Sequence, residues 1–346
     1  MKLGSRLGGA VDDIILRTVY RRFRKARAPS QMPRTEEVDR RALLAEAIAF
    51  YSRPELDFFV APPAIRPVEE KRGGLPNGGR IVDLKWPSPF EPHWEALRGE
   101  YLAYERNRFG HARLYQQPHA ANSIVCLHVY RGGPYFLEER AFPVRWLYSL
   151  GLNVALFQLP FHAHRGGPDA PIWPSVHVAR TNEGFAHAIH DLRALIALLG
   201  QRGEVGVTGM SLGGYTTSLI ATVEPLALAA PMIPVASFPD VMWQMGAGTP
   251  DRARAEREGI TVEMLRQAMA VHTPLERKPM VPPERVLVLS MEGDRIAPPE
   301  HATRLARHFG AEELRFAGGH ILQLGRGDAF RALARRMAAV GLISRR

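Results

Sequence analysis

The chain's 346 residues can bury a large core, enough for one sizeable domain with additions or for two small ones. Hydrophobic residues at 46% and charged residues at 23% are ordinary for a soluble globular protein, and a single cysteine, Cys126, excludes an internal disulfide. The net charge of +10 raises nucleic acid as a partner, but forty of the 45 basic residues are arginines scattered along the chain, which weighs against it.

In "MKLGSRLGGAVDDIILRTVYRR", acidic residues stand where the apolar run of a secretory signal would begin. A cytoplasmic protein, soluble or peripheral to the inner face of the membrane, is therefore expected. Val11, Ile15, Val19 and Phe23 recur every four residues, with Arg17, Arg21 and Arg24 on another face, the pattern of a basic amphipathic helix. Arg17, Arg21, Arg22, Arg24, Lys25 and Arg27 form the one dense cationic cluster, suited to anionic lipid or RNA. Two readings stay open: residues 11–27 lie in a membrane interface, or the helix docks on the rest of the chain. A second helix is expected over "TEEVDRRALLAEAIAFYS", with Thr35 as a simple N-cap. Proline and glycine then crowd "APPAIRPVEEKRGGLPNGG", which reads as linker. Residues 1–78 thus form a helical, basic extension and linker ahead of a main domain over 79–346.

From Gly79 the texture changes. "GRIVDLKW" and "HARLYQQ" read as antiparallel strands. "SIVCLHVY", "NVALFQLP", "VGVTG", "LALAAPMIPV", "RVLVLSME" and a shorter "EELRFAG" follow as near-continuous apolar runs, the mark of strands covered on both faces. Helical patterns lie between several of them, clearest in the stripe Phe185, Ala188, Ile189, Leu192, Leu195, Ile196 and Leu199, which stops at Gly200. Strands alternating with helices predict a doubly wound, mostly parallel α/β sheet with helices on both faces. An insertion over about 238–283 is expected to form a lid. Its Met242, Trp243 and Met245 either line an apolar substrate pocket or pack the lid onto the body. "PLALAAPMIPVASF", at about fourteen residues, is too short to span a bilayer.

The chemistry concentrates in "VGVTGMSLGGYTT", where Gly-x-Ser-x-Gly falls between a strand-like and a helix-like run. That is a nucleophile elbow, with Ser211 in a sharp turn that only small neighbours permit. An acid is expected at Asp294, in a Gly-Asp turn just after "RVLVLSME", and a base at His320, after strand and glycines in "ELRFAGGH". The oxyanion hole is expected to use the N–H of Leu212 and one from the loop "HVYRGGPYF", with Gly132 preferred over Arg131 because it lets the backbone approach closely. His162 and His164 in "LPFHAHR" lack carboxylate or cysteine partners for a metal, so His162 reads as a pocket lining; no metal or other cofactor is expected.

Over roughly residues 79–346 the chain resembles the α/β-hydrolase superfamily. Within it, the chain is similar to the abhydrolase-domain-containing-eighteen-like branch, on "WPSPFEPH", "GVTGMSLGGYTTSLIAT" and the late "GGH". The resemblance implies an α/β-hydrolase fold with Ser211 as nucleophile, Asp294 as acid and His320 as base. "VYRGGPY" departs from the pattern, lacking the usual His-Gly pair after the third strand. The function expected is a cofactor-free serine hydrolase cleaving carboxylic esters, with lipid-like or acyl esters preferred. The alternatives are a peptidase or thioesterase on the same triad, or a catalytically silent module binding membrane through the N-terminal helix. A soluble esterase of this kind is expected to keep its turnover of small esters when residues 1–30 are deleted.

Overall fold

The computed structural model describes residues 3–26, 39–119, 121–128, 135, 137–167 and 170–344, with the side chains of 19–26 outside the description. Helices α1 (Leu3–Ala26) and α2 (Arg40–Tyr51) open the chain. Strands β1 (Val68–Gly74), β2 (Arg80–Pro87) and β3 (Phe109–Gln116) follow, with α3 (Glu95–Leu102) between the last two. The alternating part runs through β4 (Ser123–Leu127), α4 (Glu138–Ala141), α5 (Val144–Ser149), β5 (Asn153–Phe157), α6 (Val178–Gly200), β6 (Val205–Met210), α7 (Leu212–Ile220) and β7 (Leu228–Met232). Three short helices, α8 (Phe238–Met245), α9 (Pro250–Arg257) and α10 (Val262–Met269), fill the insertion. β8 (Leu287–Met291), α11 (Pro299–Phe309), β9 (Glu312–Phe316) and α12 (Arg326–Ala339) complete the order.

The nine strands form one sheet in the order β1-β2-β3-β5-β4-β6-β7-β8-β9. β1, β2, β3 and β5 pair antiparallel, and β5 through β9 pair parallel. Every residue of β4 to β8 is buried, which is why those segments read as unbroken apolar runs. Along β4 the side chains alternate between two cores. Val125 and Leu127 face the larger one with Phe185, Leu192 and Tyr215, while Ile124 and Cys126 face the other with Leu147, Phe330 and Leu333. Each such aliphatic side chain stabilises the fold by roughly 1.5–3 kcal/mol on burial. Cys126 is enclosed, and burial pushes its thiol pKa up, so it is an inert packing residue.

Two expectations change. Part of the expected linker, Val68–Gly74, is β1, an edge strand whose side chains are almost all exposed. With Glu69, Glu70, Lys71 and Arg72 along it, it carries no apolar alternation, and the charges guard an open edge. The second helix starts at Arg40 with Asp39 as its cap, the carboxylate accepting from Ala42 N–H at 2.9 Å; Thr35 lies outside the described residues. Helix α2 is packed into the body. Leu44, Ala47 and Tyr51 are buried, and the Tyr51 hydroxyl donates to Glu183 Oε1 at 2.8 Å. The same buried carboxylate of α6 accepts from the His93 and Trp94 N–H groups at 2.9 and 3.1 Å, so one side chain pins α2 and the "WPSPFEPH" loop to the sheet layer.

The first helix also docks; of the apolar stripe that its sequence suggests, Val11 is half-buried and Ile15 is 37% exposed. Ser5, Gly8, Gly9 and Asp12 are buried, whereas Leu3, Leu7 and Ile14 stay 83%, 54% and 63% exposed. Val19, Phe23 and the arginines beyond Arg17 have side chains outside the described residues. No described helix is long and apolar enough to cross a membrane.

Candidate active site

β4 is flanked by β5 on one side and β6 on the other, so the strand order reverses there. In a doubly wound sheet such a reversal opens a crevice at the carboxyl ends of the strands. Ser211 follows β6 at that edge. The turn is tight because strand and helix nearly touch: a Cβ on Gly209 would run into the Gly213 carbonyl, and one on Gly213 into the Leu127 carbonyl of β4. Ser211 itself is held at φ 56°, ψ −115°, a conformation that costs a non-glycine residue of order 1–3 kcal/mol and persists only where the surroundings enforce it. Its N–H donates to the Met232 carbonyl at 3.1 Å and its carbonyl accepts from Tyr215 N–H at 2.9 Å, which lock the turn from both sides.

The structure brings Ser211, His320 and Asp294 together. His320 Nε2 lies 2.9 Å from Ser211 Oγ, and His320 Nδ1 lies 2.7 Å from Asp294 Oδ2. Serine and carboxylate therefore occupy opposite nitrogens of one imidazole, the arrangement that lets the ring take a proton on one side while the other side is stabilised. Asp294 Oδ1 accepts the N–H groups of Ile296 and Ala297 at 2.9 and 2.8 Å, which orient the carboxylate after β8. Asp294 and His320 are buried and Ser211 is half-buried, so the serine is the accessible member.

Leu212 is the first residue of α7, so its N–H has no carbonyl one turn back to bond. It points from a helix N-terminus, where partial positive charge favours an oxyanion. Arg131 and Gly132, the expected second donors, lie outside the described residues. His128 stands at the start of that loop; burial, and then the nearby His320 and Arg326, push its pKa down to about 4, so it is neutral beside the site.

His162 is buried, its Nδ1 2.8 Å from the Pro160 carbonyl and its ring edge-on to Trp173. His164 turns elsewhere, Nδ1 3.0 Å from Gln158 Oε1 and the ring stacked on His111, so the two histidines do not converge. Trp243 packs on the small core of Leu44, Ile260 and Ala268 and carries the Arg252 guanidinium 3.3 Å above its ring. Met245 packs on the larger core, and Met242 is half-buried.

One residue beside the triad escapes a reading of the sequence. Asp12 of α1 is fully buried, with Oδ2 accepting the N–H groups of His320 and Arg295 at 2.7 and 3.1 Å and Oδ1 accepting that of Ile321 at 3.0 Å. Its only trace in the sequence is an acidic pair, Asp12-Asp13, next to Gly8-Gly9 in an otherwise basic amphipathic helix.

Comparison with known proteins settles the architecture. Acetyl xylan esterase 1 from Thermoanaerobacterium sp. superposes with a TM-score of 0.59 at 15% identity, covering 87% of this chain and 94% of that one. The acetyl xylan esterase of Paenibacillus sp. R4 gives 0.56 at 14% identity, covering 88% and 96%. Together with the sheet order and the elbow, these likenesses define an α/β-hydrolase fold. No family model matches the sequence. Two uncharacterized proteins of Mycobacterium tuberculosis, from strains CDC 1551 and H37Rv, are 31% identical over 278 residues, or 76% of this chain. The chain spans 65% of the length of those relatives.

Proposed function

We propose that the protein is a serine hydrolase that cleaves carboxylic esters by acyl transfer. The observation that carries the reading is the unbroken line Ser211 Oγ, His320 Nε2, His320 Nδ1, Asp294 Oδ2, with contacts of 2.9 and 2.7 Å at a strained elbow. Ser211 Oγ attacks the carbonyl carbon while its proton passes to His320 Nε2. The tetrahedral oxyanion is met by the Leu212 N–H at the start of α7. His320 then gives the proton to the departing alkoxide, leaving an acyl-enzyme. Water loses a proton to the same nitrogen, attacks the acyl carbon, and the acid leaves as Ser211 recovers its proton. Every step uses protein groups and water alone. Within the fold, the elbow and the "GGH" loop support the abhydrolase-domain-containing-eighteen-like branch.

The test is intact-mass labelling with a fluorophosphonate, wild type beside Ser211→Ala. One adduct on the wild type and none on the variant is expected. No adduct on folded wild type would remove the reading.

A second observation favours a peripheral, lipid-facing role for the same enzyme. Leu3, Leu7 and Ile14 project from α1 away from the body, flanked by exposed Arg6 and Arg17, and Ile321 and Leu324 beside the base are 54% and 52% exposed. Such a face suits an anionic membrane surface and acyl ester substrates. Co-sedimentation with phosphatidylserine-containing vesicles should fall at least fivefold in Leu7→Glu/Ile14→Glu. Unchanged sedimentation rejects this role.

A further inference from the structure

We infer that Asp12 is a positioning residue of the active site, a strut from the N-terminal helix that fixes the acid and base loops relative to each other. The inference rests on the serine-hydrolase reading of Ser211.

The triad's imidazole and carboxylate come from two separate loops, after β9 and after β8. Each loop must hold its side chain to within a fraction of an ångström for the proton to pass. Asp12 touches neither side chain but bonds both backbones. It takes the N–H of His320 itself (2.7 Å), that of Ile321 (3.0 Å), and that of Arg295, the residue after Asp294 (3.1 Å). A carboxylate has no donor of its own, and charge-assisted bonds of this kind are about twice as strong as neutral ones. The three donors are also what makes a fully buried carboxylate tolerable at this position.

The rest of α1 is shaped for that delivery. A Cβ on Gly8 would strike the Gly319 N–H, and one on Gly319 would strike the Gly8 carbonyl, so helix and base loop meet backbone to backbone. On the acid side the Ser5 hydroxyl donates to Glu292 Oε2 at 2.8 Å, and a Cβ on Gly293 would strike the Ser5 carbonyl. The face turned inward is small and polar because its role is close approach and hydrogen bonding. This reverses the expectation that residues 1–30 are dispensable for small esters.

Asp12→Asn preserves shape but replaces one acceptor oxygen with a donor amide that opposes an N–H. The readout is turnover of p-nitrophenyl butyrate per active site, with sites counted by fluorophosphonate titration so that unfolded molecules do not contribute. The expected result is a kcat per titrated site 10–100-fold below wild type, with KM changed less than threefold. Gly8→Val, which pushes the helix off while keeping Asp12, should reproduce that loss. A residue that served stability alone would lower the count of sites and leave kcat per site unchanged.

Hydrogen exchange on the wild type keeps the inference exposed even if a variant fails to fold. The amides of His320 and Ile321, though in a loop, should exchange at least 100-fold slower than in an unfolded chain, and fast exchange there overturns it. If Ser211→Ala is inactive while Asp12→Asn keeps kcat per site within twofold, the inference falls and the serine reading stands. If Ser211→Ala retains turnover, the serine reading falls and takes the inference with it.

Discussion

Among the described residues stand two clusters made of serine, histidine and aspartate, and one of the two is arranged to pass a proton. In the first, Ser211 and Asp294 sit on opposite nitrogens of His320. In the second, Ser88, His187 and Asp191 lie together in the core beneath α3. There Ser88 Oγ and Asp191 Oδ2 crowd the same ring nitrogen, Nε2, at 3.0 and 3.2 Å, and Nδ1 faces the Tyr101 hydroxyl at 3.1 Å. The Arg165 guanidinium, which can only donate, lies 2.8 Å from that Nε2, so the ring proton belongs on Nδ1. The Ser88 hydroxyl donates its hydrogen bond directly to Asp191 Oδ1 at 2.6 Å. Burial works against charge on Asp191, yet the Arg165 guanidinium at 2.7 Å holds its pKa well below the usual carboxylate range. The difference teaches that residue types do not make a relay. Opposed nitrogens, an accessible oxygen and an enforced backbone do.

That comparison can be broken most directly by exchanging the serines. Ser211→Ala should lower kcat by at least about 10⁴-fold, whereas Ser88→Ala should leave kcat on p-nitrophenyl butyrate within about threefold. A dead Ser88→Ala beside an active Ser211→Ala would invert the assignment. The next largest effect belongs to the core cluster. Arg165→Met strips a buried carboxylate of its cation and should destabilise the fold by about 3–5 kcal/mol, read as a lower urea midpoint. A midpoint within experimental error of wild type would mean Asp191 is not charged there. Ser88→Ala should cost less, about 1–3 kcal/mol, because it removes one buried hydrogen bond to that carboxylate; no loss at all would mean the bond contributes nothing net.

The smallest effect is in the pH dependence. Burial pushes His187 to about 4 and His272 to about 3, below the ordinary value near 6.5. Below about pH 6.5 the unfolded chain binds protons that the folded protein refuses, so this share of stability is present above that pH and drains as pH falls. His93 runs the other way. Burial opposes its charge, but the Glu183 carboxylate at 3.0 Å raises its pKa, so its share is present below about pH 6.5 and lost as pH rises through the raised value. With the depressed histidines outweighing the raised one, the urea midpoint should be higher at pH 7 than at pH 5. A flat or reversed trend would show that these rings are not buried neutral.

How much of this could be read from sequence follows from where the information is local. β4 to β8 were legible because both faces are covered, and the elbow because its glycines are neighbours of the serine they serve. Several apolar runs overshoot their strands: "SIVCLHVY" ends as a strand at Leu127, "NVALFQLP" at Phe157 and "LALAAPMIPV" at Met232. After β5 and β7 the extra residues, Gln158 to Pro160 and Ile233 to Val235, form buried loops at the carboxyl edge. β1 was hidden because an exposed edge strand is written in charges. The Ser88–His187–Asp191 cluster was hidden because its members are brought together by the crossing of α6 over the sheet. Asp12 was hidden for a further reason: a search for an apolar stripe on α1 looks for aliphatic side chains, whereas the buried face of Ser5, Gly8, Gly9 and Asp12 is small and polar.

Asp12 and His320 are 308 residues apart in the chain. A ribosome makes the helix 308 residues ahead of the loop it braces, so with Asp12 as the strut no nascent chain that stops short of His320 can carry a finished site. Glycine weakens a helix by roughly 1 kcal/mol relative to alanine, and α1 carries three of them, Gly4, Gly8 and Gly9. The helix is thus poorly fitted to stand alone and waits for the later loops to give it a surface. Ser211 would become reactive only once Asp12 and the His320 loop have met, which protects a half-made protein from acylating itself on whatever ester it encounters.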